Sequence, residues 1–219
     1  MAQIFSPTAD TWLRAVLVAI LLGSISLVVL PEVLARSQYE TDVARTPQQP
    51  VPFSHEHHAG ELGIDCRYCH TNAESGANAG FPATHVCMTC HSQLWTQAPM
   101  LAPVRESLAA NRPIVWQRVA LLPDYVYFRH DIHLAKGVSC FECHGGVDRM
   151  PLTWRAQPFE MRWCLACHRD PAPHLRPREA LLDAEWTPPA DRRALGEALM
   201  RQYHIRGPQE LTHCTVCHR

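Results

Sequence analysis

One pattern limits this chain more than any other: Cys-x-x-Cys-His occurs five times in 219 residues. The copies are Cys66-Arg67-Tyr68-Cys69-His70, Cys87-Met88-Thr89-Cys90-His91, Cys140-Phe141-Glu142-Cys143-His144, Cys164-Leu165-Ala166-Cys167-His168 and Cys214-Thr215-Val216-Cys217-His218, and they use all ten cysteines. The pattern is an attachment sequence for c-type haem: two thiols bond to the ring's vinyl groups and the following histidine ligates the iron. Other uses of cysteine ask for something different. A disulfide framework needs no histidine after every second cysteine. Structural zinc needs four ligands drawn from paired motifs. A thioredoxin-type motif sits singly in a β-α-β pattern, and no such pattern is present. The expectation is five covalently bound haem c groups, with His70, His91, His144, His168 and His218 as their proximal ligands.

Five motifs crowd into residues 66–218, too little polypeptide to wrap five large rings in a conventional core. The rings must then form much of the core themselves, stacked on one another. No succession of strands is readable. The expected fold is mostly irregular with short α-helices, a multihaem domain built around five stacked haems, plus one N-terminal transmembrane helix.

A second repeat lies beside the first. Phe53-Ser54-His55-Glu56-His57-His58 precedes Cys66, and Phe128-Arg129-His130-Asp131-Ile132-His133 precedes Cys140. Both read Phe-x-His-x-x-His, and both lead into two haem motifs, so residues 53–91 and 128–168 form an internal repeat, with the fifth haem on 169–219. Histidines at i and i+3 share one face of a helical turn. Such a turn can ligate two neighbouring irons, which makes His55, His58, His130 and His133 the expected distal ligands, with His57 out of register as a bystander.

From Trp12 to Leu34 the chain is nearly all apolar, long enough to span a bilayer as a helix. A signal peptide cleaved after Val33-Leu34-Ala35 is the rival; the length of the run favours an uncleaved anchor over residues 1–36. Thioether attachment takes place outside the cytoplasm, so the haem domain is expected on the periplasmic side of the inner membrane. Residues 37–52, with Pro47, Pro50 and Pro52, read as a semi-extended linker to a domain over 53–219. Within that domain Leu94, Leu101, Val104 and Leu108 have roughly helical spacing, interrupted by Pro99 and Pro103. Pro123-Asp124 signals a turn. Thr187-Pro188-Pro189 opens a helix that Gly207-Pro208 ends. Net charge is −1 and nineteen of the twenty basic residues are arginines. Arginine grips carboxylates in a two-pronged fork, which suits haem propionates; a composition biased to arginine reads equally well. No basic patch points to nucleic acid.

The segments between the motifs resemble one family, the membrane-anchored pentahaem cytochrome c subunit of alternative complex III. The residues that carry the match are 53–58, Gly63-Ile64-Asp65 with the first motif, Ala79-Gly80-Phe81-Pro82, Arg112-Pro113-Ile114-Val115-Trp116, 122–128, Gly146-Val147-Asp148-Arg149-Met150 and Met161-Arg162-Trp163-Cys164-Leu165. The resemblance implies a non-catalytic electron-carrier subunit of a quinol-oxidising complex. It would take electrons from an iron–sulfur subunit and pass them toward a monohaem cytochrome c, with no small-molecule substrate of its own. The alternative is a membrane-anchored multihaem quinol dehydrogenase feeding a periplasmic reductase. That type sets its first motif close behind the helix, whereas Cys66 lies well beyond Ala35 here. A reductase with an open haem fits less well, since all five motifs end in His.

The fifth distal ligand must come from outside the Phe-x-His-x-x-His turns. Met150 is the first candidate, because a thioether raises a haem's potential relative to two imidazoles. Such a centre suits the exit of a chain running toward a high-potential acceptor. Met161, His174 and His204 are the rivals.

Overall fold

A computed structural model describes residues 4, 6 and 8–218 of the chain. It divides into two compact units, one ending at Asp42 and the other starting at Val43. The first unit is built on α1 (Ala9–Ala35), whose 27 residues bury none of their side chains within the chain. At about 1.5 Å rise per residue it exceeds the roughly 30 Å of a bilayer's hydrocarbon, so by length and composition it can cross a membrane. Its few polar groups are provided for: Ser24 Oγ donates to the Ile20 carbonyl (2.8 Å), and Arg14 pairs with Asp10 and Arg36 with Glu32 near the two ends. A short helix, α2 (Gln38–Thr41), follows.

The second unit is helical, with only two isolated β-bridges, Val43 to Arg155 and Val138 to Leu175, among the described residues. Its helices are short: α3 (Cys66–Cys69), α4 (Thr84–His91), α5 (Ala102–Ala109), α6 (His130–Ala135), α7 (Cys140–His144), α8 (Met161–Arg169), α9 (Arg192–Gln202) and α10 (Pro208–Leu211). Two small apolar clusters hold it together. One joins Val51, Leu101 and Val104, the other Leu175, Leu199 and Tyr203. The sole lysine ties α6 to the end of α9, Lys136 Nζ donating to the Tyr203 carbonyl at 2.6 Å.

Several boundaries differ from those expected. Residues 43–52 are not a free tether but lie on the second unit. The Gln49 side chain exchanges two hydrogen bonds with the Gln117 backbone (2.8 and 2.9 Å), Ala44 N–H donates to the Arg155 carbonyl, and Val51 is buried. The last long helix starts at Arg192 rather than after Thr187, because the Asp191 carboxylate accepts the Ala194 N–H and so caps it. Gly207-Pro208 opens α10 instead of closing α9, with Pro208 in the first turn. Pro99 and Pro103 likewise open elements, a 3₁₀ turn at Pro99–Leu101 and then α5. The turn at Pro123-Asp124 is present, closed by Val126 N–H on the Pro123 carbonyl.

Candidate haem sites

Cysteines at i and i+3 and a histidine at i+4 fall on one face of a helical turn, and the motifs are built on such turns. The first occupies α3, capped by the Asp65 carboxylate on the Arg67 N–H. The third is α7, capped in the same way by Ser139, whose hydroxyl also donates to the Leu181 carbonyl at 2.7 Å. The second and fourth end the longer helices α4 and α8, and the fifth lies on a 3₁₀ turn at Cys214–Val216. All ten thiols are unlinked to one another.

Four of the motif histidines face a second imidazole. His55 stands opposite His70 with ring centres 6.4 Å apart and planes 5° from parallel, and His130 opposite His144 at 6.5 Å and 2°. His58 faces His91 at 6.2 Å and 63°, and His133 faces His168 at 6.2 Å and 38°. Two imidazoles bonded to one metal from opposite sides, each about 2 Å from it with its ring centre about 1.1 Å further on, hold their centres about 6.3 Å apart. The spacing therefore fits a metal atom between each pair. No group of three or more His, Cys, Asp or Glu among the described residues is set to hold a bare ion. A metal at these places must bring its other ligands with it, as haem iron does, and the thiol pair beside each motif histidine suits attachment of such a ring.

Hydrogen bonds orient the imidazoles. Nδ1 of His58, His70, His91, His130, His133, His168 and His218 donates to the backbone carbonyl of Ser54, Gly80, Leu94, Ala77, Arg129, Leu211 and Tyr125 respectively, at 2.7–3.2 Å. Nδ1 of His55 instead meets Oγ1 of Thr153 at 2.8 Å. With Nδ1 engaged, Nε2 is left to bind a metal. Burial, and then neighbouring imidazoles, lowers His55 and His144 to about 4, so both are neutral near pH 7 with a lone pair to offer. Burial also raises the thiols of Cys143 and Cys167 to about 12.

A phenylalanine supports each ligand turn. Phe53 sets its edge against His55 (4.9 Å) and its face on His58 (4.4 Å); Phe128 does the same to His130 (4.8 Å) and His133 (4.5 Å). The two turns differ in one respect. The first is a π-helical turn, Glu56–Glu61, closed by Leu62 N–H on the His57 carbonyl, whereas the second is the α-helix α6. The first repeat has one more residue between its second ligand histidine and the glycine (Gly63, Gly137) that precedes its motif, and the wider turn absorbs it. Gly60 is required there, because a side chain would run into the Asp148 carbonyl.

The motifs follow one another in space in an order different from the sequence. Cys69 lies near Cys87, Cys66 near Cys140, Cys143 near Cys167 and Cys164, and Cys164 near Cys217. The line is second, first, third, fourth, fifth. The two halves meet at the first and third motifs and exchange supports: Ala77, after the first motif, accepts from His130, while Thr153, after the third, meets His55.

Met150, the first candidate for the fifth distal ligand, is a core residue. It is 1% exposed, its carbonyl accepts Glu56 N–H beside the first ligand turn, and with Arg149, Trp154 and Arg155 it lines a cavity of about 410 Å³. His218 lies against Tyr125 (5.8 Å), and Cys217 receives the Tyr127 N–H. His174 engages the Glu142 carboxylate within the third motif, Met161 is 63% exposed at the start of α8, and His204 is an exposed residue just past α9. His57 bonds Glu61 at 2.8 Å. Arg155, Arg176 and Arg178 are committed to backbone carbonyls. Sequence reading missed Thr153 and the carbonyl acceptors, which no side-chain pattern marks. The phenylalanines, by contrast, stood in the repeat itself.

The class III cytochrome c family matches residues 31–105. The chain is also 33% identical over 126 residues to the menaquinone reductase, multiheme cytochrome c subunit, of Nitratidesulfovibrio vulgaris. That match takes in 57% of this chain and 53% of the relative, so the chain spans about half the length of that protein. Over more than half of its residues, this chain is similar to a multihaem c-type cytochrome that serves a quinone-linked complex.

Proposed function

We propose that the chain is the electron-relay subunit of a quinol-oxidising membrane complex of the kind its resemblance to alternative complex III implies. The observation that carries this reading is the set of four imidazole pairs, 6.2–6.5 Å apart, each beside a Cys-x-x-Cys. Four haem c groups held there, with a fifth on Cys214, Cys217 and His218, would supply a row of one-electron centres. The chain's own part is positional. Its cysteines tether, its imidazoles grip from both sides, and each i, i+3 turn fixes two neighbouring sites at once. The contacts between motifs run from the second at one end to the fifth at the other, so the ends are the natural points of entry and exit. An iron–sulfur subunit is the proposed donor and a monohaem cytochrome c the proposed acceptor. In this reading α1 is a single-pass anchor in the cytoplasmic membrane, the motif domain stands on the periplasmic side, and the subunit converts no substrate of its own.

Similarity to a menaquinone reductase subunit supports the quinone link and the multi-subunit setting. It also favours a second reading, in which electrons run the other way, from a periplasmic donor toward menaquinone. Purification from native membranes in mild detergent tests both. The expected result is five haems per chain by pyridine haemochrome, an iron–sulfur subunit in the same complex, and reduction of the haems by a menaquinol analogue. Haem reduction by a periplasmic donor but not by menaquinol would select the second reading. Fewer than five haems, or a chain that purifies alone, would overturn the proposal.

A further inference from the structure

The two central sites are near copies of one another. Both hold their imidazoles almost parallel, 5° at His55 and His70 and 2° at His130 and His144. Both draw the ligand histidine from the same Phe-x-His-x-x-His position, with the same edge-on phenylalanine at 4.9 and 4.8 Å. Both receive their Nδ1 support from the other half of the molecule. They differ in what that support is. His130 has the Ala77 carbonyl at 2.7 Å; His55 has the Thr153 hydroxyl at 2.8 Å. Among the distal histidines, His58, His130 and His133 all have backbone carbonyls on Nδ1, so the hydroxyl at His55 stands apart.

We propose that Thr153 is a positioning residue that sets the site between His55 and His70 apart in redox potential from its near copy between His130 and His144. This rests on the reading that the imidazole pairs ligate haem. An acceptor on Nδ1 makes an imidazole more electron-rich and so favours the oxidised, more positive metal. Hydrogen bonding around an axial ligand is one of the protein's levers on haem potential. A peptide carbonyl accepts through a fixed oxygen, whereas a threonine hydroxyl rotates and divides its capacity between donating and accepting. The hydroxyl therefore gives His55 a weaker support than the Ala77 carbonyl gives His130, and this raises the potential of its site relative to one held by a carbonyl at the same place. An electron shared between neighbouring sites responds to that difference. The side chain of residue 153 biases it toward the first motif.

The test is a spectroelectrochemical titration of the full-length protein with all its haems, as native, Thr153→Val and Thr153→Ser, with electron paramagnetic resonance of the oxidised state. Valine keeps the shape and removes the hydroxyl; serine keeps the hydroxyl. The expected result is that one component moves to higher potential in Thr153→Val, with a shift in one low-spin signal, while Thr153→Ser titrates like the native protein. Unmoved components in Thr153→Val, a shift spread over several components, or serine behaving like valine would each overturn it. So would loss of haem in Thr153→Val, which would make residue 153 a scaffold only. If instead the native protein lacks the low-spin signature of paired imidazoles, the underlying reading of the sites fails.

Discussion

At the scale of single residues, the ligand turns do their work through the side chains between and around the histidines. Phe53 and Phe128 each lie face-on to one imidazole and edge-on to another, so one ring fixes the attitude of two. Asp65 has a comparable reach on the other side of the first site. Its carboxylate caps the turn that carries Cys66 and Cys69 and also grips the Arg67 guanidinium at 2.8–2.9 Å. The Arg67 hydrogen bond, first among the causes, holds the Asp65 carboxyl below its ordinary value of 3.8. A carboxyl depressed in the folded state contributes stability above the unfolded value and loses it as pH falls through the folded one. Thr, Ser and Asp caps are worth about 1 kcal/mol. Asp65→Ala should therefore lower the unfolding midpoint at pH 7, and the gap to the native protein should narrow as pH drops below 3.8; a gap independent of pH would show that the charge has no part in the cap.

At the scale of elements, the repeat was legible in the sequence and its pairing was not. The i, i+3 spacing of His55 with His58 and of His130 with His133 is a local property. Which motif histidine each ring faces is a tertiary fact that no spacing records. The one-residue difference between the repeats was visible as a count, but not that it would be taken up as a π-turn pressed under residue 148. That turn yields a direct expectation. A methyl at position 60 collides with the Asp148 carbonyl, and overpacking of this kind costs about 1–3 kcal/mol. Gly60→Ala should lower thermal stability by that order and broaden the low-spin signals of the two sites that His55 and His58 face. Gly207→Ala, with nothing within 4 Å, should change neither. Equal behaviour of the two variants would remove the close approach from the account. Asp191 outcompeting Thr187 as a cap is the same lesson in small: both residue types cap helices, and the Ala194 N–H decides.

At the scale of the molecule, composition misplaced the edge of the domain. A proline-rich polar stretch reads as a linker, yet the Gln49 amide and Val51 side chain dock it, and neither contact has a signature within residues 37–52. A soluble form beginning at Val43 should match the full domain in haem content and unfolding temperature. One beginning at Phe53 strips Val51 from Leu101 and Val104. Burial of a valine is worth roughly 1.5–3 kcal/mol, so this form should unfold several degrees lower. Equal unfolding temperatures would return residues 43–52 to the role of a tether. The two apolar clusters are small, three buried residues each.

The exchange of supports between the halves also bears on the order in which such a chain is completed as it is made, N-terminus first. His55 waits for Thr153, 98 residues behind it, and His130 closes back on Ala77, 53 residues ahead. Contacts of such long sequence separation form late. The first motif to be made is therefore completed only once the third has followed it. A chain that ends before residue 153 would carry both imidazoles of the first site, His55 and His70, but not the hydroxyl that steadies His55.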